Sequence, residues 1–160
     1  MRNILKLSSL VFILLLLGSC EEEQPPTPPD PNLNIWSGAK ITFTKADDTN
    51  PEDTANQDKL TDNVIITRGT SGGQIYNIVT EDTFDKAQSP AGTEWAVGKI
   101  EDVSSLNFQF FRTAVNKPQD VVGKDLVLHL IEDDIYLEVK FTSWSAGKKG
   151  GFSYERSSPN

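Results

Sequence analysis

The chain has 160 residues, 37% of them hydrophobic and 24% charged, with 15 basic against 23 acidic side chains and a formal net charge of −8. That length fits one ordinary domain with short tails, and the near-average composition excludes wholesale disorder and a collagen-like fibre. A single Cys and a single His exclude an internal disulfide framework, multi-Cys zinc sites and His-clustered metal centres.

Residues 1–19 read as a targeting segment. Arg2 and Lys6 form a positive start, and the apolar run from Leu7 to Leu17 is broken only by Ser8 and Ser9. The run is too short to span a bilayer comfortably and ends in small residues, as a signal peptide does. Leu17-Gly18-Ser19-Cys20 resembles the bacterial lipobox. That resemblance implies cleavage before Cys20 and acylation of Cys20, and several acyl chains anchor stably where one would be marginal. Removing residues 1–19 takes away Arg2 and Lys6 and no acid, so a net charge of −8 becomes −10. A chain this acidic is a poor partner for nucleic acid and for anionic lipid, which leaves the lipid anchor as the membrane contact.

Residues 20–32 form the lipidated Cys and a tether. Five of the nine prolines fall between Pro25 and Pro31, a composition that forms no core and favours an extended polyproline II spacer. At ~3.1 Å per residue the segment holds the domain ~30 Å from the lipid surface. Glu21-Glu22-Glu23, directly after Cys20, resembles the acidic export signal of Bacteroidota surface lipoproteins. The implied location is the cell envelope, on the outer membrane and exposed at the surface.

Residues 33–160 read as one all-β domain. Short runs rich in Val, Ile, Phe, Tyr, Trp and Thr lie at 39–44, 63–68, 74–80, 95–101, 106–112, 126–131, 135–144 and 151–155. About eight strands at close spacing point to an antiparallel β-sandwich, a jelly roll among the options. The clearest alternation puts Ile135, Leu137, Val139 and Phe141 on one face, with Tyr136, Glu138, Lys140 and Thr142 on the other. Leu106, Phe108 and Phe110 alternate with Asn107 and Gln109, and 126–131 is apolar enough for a central strand. Glu132-Asp133-Asp134 reads as a three-residue hairpin turn and 145–150 as the next hairpin loop. Helix is scarce; 51–59 offers one turn, with Asn50 as N-cap ahead of Pro51.

The stretches 57–69, 89–98 and above all 122–157 resemble a recurrent β-domain segment of uncharacterised secreted and lipid-anchored bacterial proteins, Bacteroidota among them. The matching residues are His129, Asp134, Ile135, Tyr136, Phe141, Ser143, Trp144, Gly151, Phe152, Ser153, Tyr154 and Arg156. Lys148 and Lys149 interrupt a loop that is richer in glycine in that pattern. The resemblance implies a fold and a location, not a reaction.

Candidate chemistry is sparse. Gly69-Thr70-Ser71-Gly72-Gly73 fits the nucleophile-elbow expression, but an elbow needs a strand-turn-helix in a parallel sheet, and a trypsin-like order needs the His before the Ser. His129, the only His, comes after Ser71 and reads as a packed residue with a satisfied hydrogen bond ahead of a catalytic or pH-sensing one. Acidic pairs recur at 47–48, 52–53, 81–82 and 132–134. Asp47, Asp48 and Asp53 are the best oxygen ligands for a Ca²⁺ ion, without an EF-hand spacing. Trp95, Tyr136, Trp144 and Tyr154 are candidates for an aromatic ligand platform. Strict alternation would put Tyr136 and Trp144 on one face, ~26 Å apart along the strand. Lys148 and Lys149 form a small basic tip. With no catalytic set legible, the reading leans away from an enzyme. It favours a non-catalytic binding module for a glycan or an envelope partner. The alternatives are a structural envelope protein without a small ligand, and a hydrolase using two of the 23 acids.

Overall fold

In the computed structural model, residues 31–160 are described; Cys20, the signal segment and most of the tether lie outside them. Among the described residues nine strands form two sheets. The larger sheet contains β1 (Asn34–Trp36), β2 (Gly38–Lys45), β6 (Thr93–Val97), β7 (Leu126–Leu130), β8 (Ile135–Trp144) and β9 (Phe152–Ser158). Its order is β2-β9-β8-β7-β6, so β6 to β9 are neighbours in chain order. The smaller sheet is β3 (Asp58–Lys59), β4 (Ile65–Arg68) and β5 (Ile75–Asn77), in that order. All pairings are antiparallel except that of β1, which runs parallel to β8 through Asn34↔Ile135, Ile35↔Tyr136 and Trp36↔Leu137. The arrangement is the expected all-β, sandwich-like one, with both sheets contributing to one core.

That core follows from the strand alternation. Ile135, Leu137, Val139 and Phe141 point inward from β8, while Leu126, Leu128 and Leu130 do so from β7. Leu60, Val64, Ile66 and Ile75 come from in and around the small sheet, and Trp95, Phe111, Phe152 and Tyr154 fill the middle. Alternating inward side chains from two sheets make a core about 10 Å thick. β7 is central, as its apolar run requires, with Val127 buried on the other face too.

Three expectations change. The stretch 106–112 is not a strand. It makes one rung, Trp95↔Gln109, and then turns into α1 (Phe111–Val115). The helix places Phe111 and Val115, four residues apart and both fully buried, on one face toward the core. The turn near 51–59 is a 3₁₀ turn at Thr54–Asn56 that follows Asp53 rather than Asn50. The β7–β8 hairpin loop has four residues, 131–134, and ends with Asp134 in the left-handed region at φ 49°. Asp133 in that loop accepts hydrogen bonds from Thr61 Oγ1 (2.7 Å) and Asn63 Nδ2 (3.0 Å), which ties the loop to the small sheet's approach.

Candidate functional site

The structure separates the four aromatic candidates. Trp95 is 1% exposed, and its indole N–H donates to Thr93 Oγ1 at 3.1 Å. Tyr154 is 2% exposed. Trp144 also leaves the outward face that strict alternation assigns to it. Phe141 pairs with Tyr154, but the next rungs are Ser143↔Ser153 and Trp144↔Phe152, so Thr142 is an inserted residue. A bulge of this kind breaks the two-residue period. Trp144 therefore turns to the core side and lies 5.7 Å from Phe141 and 6.2 Å from Phe111 and Phe152. The Arg68 guanidinium covers its ring at 4.0 Å, a cation–π contact. Only Tyr136 remains on the outer face.

The buried polar groups are structural. Asp58 of β3 receives Arg156 Nε (2.6 Å) and Nη2 (2.8 Å) from β9, and Tyr154 Oη donates to the same carboxylate at 2.6 Å. This cluster joins the two sheets. Arg68 donates to the carbonyls of Gly73, Ser145 and Gly151, and burial pushes its guanidinium down to about 10, against the pull of Asp47. Lys45 donates to the Thr49 carbonyl and hydroxyl, and burial followed by the nearby Arg68 charge lowers its ammonium.

Burial, then Asp58, hold the Tyr154 phenol well above its ordinary value of 10.0. The unfolded chain loses that proton near pH 10 while the folded chain keeps it, so the contribution is complete below pH 10 and falls away as pH rises beyond it. Denaturation midpoints measured from about pH 9 to about pH 11 are expected to drop for the native chain and to drop much less for Tyr154→Phe. Burial also raises Tyr76 and Tyr136, and these supply the remaining slope.

Asp47, Asp48 and Asp53 do not converge. The Asp47 carboxylate accepts from the Ser145 hydroxyl and the Gly151 N–H and lies 3.5 Å from Lys149 Nζ. The Ser145 hydrogen bond is the largest cause holding it below the usual carboxylate range. Asp48 donates its backbone N–H to the Lys149 carbonyl at 2.7 Å, and Asp53 accepts from Asn50 Nδ2 at 3.3 Å. The loop thus clasps the 145–151 hairpin, which accounts for Lys149 as well. Gly150 is required there: its φ is 78°, and a Cβ would meet the Gly69 carbonyl oxygen at 2.7 Å. Among the described residues no group of three or more His, Cys, Asp or Glu is placed to hold a metal ion. Ser71 is exposed in the loop between β4 and β5 and has no bond to His129.

The residues that do converge lie on the outer face of the large sheet. Register places Glu94 of β6 opposite His129 of β7, and His129 opposite Tyr136 of β8. Cross-strand neighbours on one face touch. The imidazole and phenol rings accordingly stack at 4.2 Å with 1° between their planes. His129 Nδ1 is 3.4 Å from Glu94 Oε1, and Nε2 is 3.3 Å from Asp134 Oδ1. Phe108 stands edge-on against both rings, at 5.9 Å from His129 and 5.7 Å from Tyr136. Burial, then Asp134 and Glu94, raise the Tyr136 phenol.

Phe108 is a ridge between two depressions. One, of about 390 Å³, is lined by Phe108, Phe110, Ile131, Glu94, Gln109 and Thr113 among others. The other, of about 340 Å³, is lined by Phe108, Tyr136, Leu33, Val103, Leu106 and Ser104. Phe110 and Ile131 are each 48% exposed. The site therefore offers fixed aromatic walls, an amide and a carboxylate, while both nitrogens of its only imidazole already face carboxylates. A third depression, of about 180 Å³, lies farther along the same face among ion-paired residues, with Lys140 on Asp125 at 2.8 Å and Lys40 on Glu138.

Sequence reading found Tyr136 and His129 but missed Glu94, Phe108, Gln109 and Phe110. The alternation at 106–110 set Phe108 and Phe110 against Asn107 and Gln109 within a strand, which the chain does not form there. The signal that was present is a dense Phe-Gln-Phe-Phe run in which α1 claims only Phe111. Among the described residues no helix is long and apolar enough to cross a membrane. No protein-family model, no curated protein and no solved structure matches this chain.

Proposed function

We propose that this chain is a lipid-anchored protein of the bacterial cell envelope, on the outer membrane, whose β-domain is a non-catalytic binding module. The anchor reading rests on the lipobox-like run ending at Cys20 and on the proline-rich tether. The ligand site of this reading is the pair of depressions beside Phe108, and its partners are a glycan or another component of the envelope. One observation carries it. Three aromatic residues, Phe108, Phe110 and Tyr136, are gathered with Glu94 and Gln109 on one face of a rigid sheet. Concave sites with apolar walls and few convergent polar groups are the usual form of ligand sites. His129 stacks on Tyr136 and lies edge-on to Phe108, so its ring supports the aromatic wall of the site. Fold alone decides nothing here, since sandwiches host many functions.

The test is thermal unfolding of the full chain against a glycan panel. A ligand at a hundred times its Kd adds ~2.7 kcal/mol to the folded state. At least one glycan is expected to raise the midpoint of the native chain, and Phe110→Ala is expected to abolish that rise with only a small change in its own midpoint, because Phe110 is 48% exposed. Cys20→Ser is expected to lose incorporation of a labelled fatty acid and membrane association. No shift with any glycan would turn the search toward protein partners, and retained lipid label in Cys20→Ser would remove the anchor.

A further inference from the structure

We infer that the ligand is an unbranched, uncharged oligosaccharide that crosses the Phe108 ridge and places sugar rings in both depressions at once. This rests on the binding-module reading and adds the ligand class and its minimum length. Four observations carry it.

The first is continuity. Phe108 lines both depressions, so they are two halves of one track. Each, at about 390 and 340 Å³, falls within the size range of small-molecule sites. A single sugar ring occupies one half and leaves the other open. The second is surface chemistry. A pyranose has an apolar C–H face and a rim of hydroxyls. The first half offers Phe108, Phe110 and Ile131 as walls, with Glu94, Gln109 and Thr113 as hydrogen-bonding groups. The second offers Leu106, Phe108 and Tyr136, with Ser104 at the rim.

The third is charge. Among the described residues no Lys or Arg lines either half, and Glu94 lies in one with Asp134 close beside it on His129. Uronic, sialic and sulfated chains meet like charge here, which sets specificity against them. The fourth is rigidity, together with occupied backbone groups at the rim of the first half. Phe108 is pinned against His129 and Tyr136, which are themselves stacked, so the ridge is ordered before the ligand arrives. An extended peptide would need open backbone groups to add a strand. At the rim of the first half Trp95 already exchanges both of its backbone hydrogen bonds with Gln109, each at 2.9 Å. The first half therefore presents side chains, not free backbone groups, to a ligand.

The test is isothermal titration of the full chain with cello-, xylo-, malto- and chito-oligosaccharides, from disaccharide to hexasaccharide, together with oligogalacturonates as the acidic arm. In one neutral series the hexasaccharide is expected to bind at least about tenfold more tightly than the disaccharide. Leu33→Ser, which alters only the second half, is expected to remove that gain. Phe110→Ala is expected to weaken every length. Both positions are at least partly exposed, so these variants decide the matter where Phe108→Ala is expected to disturb packing as well. Affinity that does not depend on length, or a length gain that survives Leu33→Ser, would overturn the two-half track while leaving the binding module standing. Tighter binding of the oligogalacturonates would overturn the uncharged class alone. Absence of binding by every saccharide, or capture of an unstructured peptide in their place, would overturn both this inference and the glycan reading beneath it.

Discussion

Asp58→Ala is expected to cost about 3–5 kcal/mol of folding stability, the scale for removing one partner of a buried ion pair. Asp58 and Arg156 have side chains only 9% and 6% exposed. Removing the carboxylate leaves a guanidinium held by one remaining backbone carbonyl, that of Ser157, and leaves the Tyr154 hydroxyl without its acceptor. The cost comes from stranding those groups, not from the net value of the pair, since forming a buried pair also requires stripping water from two ions. That distinction is measurable. Urea unfolding of Asp58→Ala should show the large loss, whereas the double variant Asp58→Leu with Arg156→Met should recover most of it. A loss below about 1 kcal/mol for Asp58→Ala, the scale of an exposed pair, would mean that the cluster is hydrated and does not hold the sheets together.

Phe141→Ala is expected to cost about 3–5 kcal/mol by opening a cavity in the core. Phe141 is fully buried at the centre of an aromatic cluster, with ring centroids 5.1 Å from Tyr154, 5.7 Å from Trp144, 5.9 Å from Phe111 and 6.3 Å from Trp95. These neighbours come from β6, α1, β8 and β9, so no one element can shift to fill the gap. A domain of ordinary stability has about 5–15 kcal/mol in total, and this variant would remove a large share. Chemical denaturation gives the number. Phe141→Leu should lose markedly less, and Tyr136→Ala, on the outer face, less still. Equal losses for Phe141→Ala and Tyr136→Ala would remove Phe141 from the centre of the core.

Much of the fold was legible because period two is a local signal. The four inward residues of β8 and the apolar run of β7 are where alternation and length put them. The failures have physical causes. Trp144 changes face because a bulge at Thr142 inserts a residue, and no side-chain pattern announces an insertion in the ladder. The 106–110 alternation looked like a strand, but the chain forms one rung there and then coils so that Phe111 and Val115 reach the core. A helix of five residues is too short to display its own period. β1 and β3, of three and two residues, are too short to alternate visibly. The site was harder still. His129 and Tyr136 face each other across one hairpin, but Glu94 is distant in the chain and joins them only through the register of β6 on β7. Tyr136 was singled out for its chemistry alone. Trp95 and Tyr154 were singled out on the same ground, and burial took them.

β2 forms one rim of the large sheet, and among the described residues nothing pairs with its far side. Such a rim is a template on which another polypeptide can add a strand, and a long, flat, apolar one invites fibrils. Here the register shifts between Gly38 and Ile41, which breaks the regular spacing of free amide and carbonyl groups. Lys40 stands exposed within that stretch, and Lys45 at the end is turned in and tied to Thr49. Two copies meeting rim to rim would have to bury a charge and match two irregular ladders. Copies that meet at this rim therefore stay separate, and the aromatic face keeps its access.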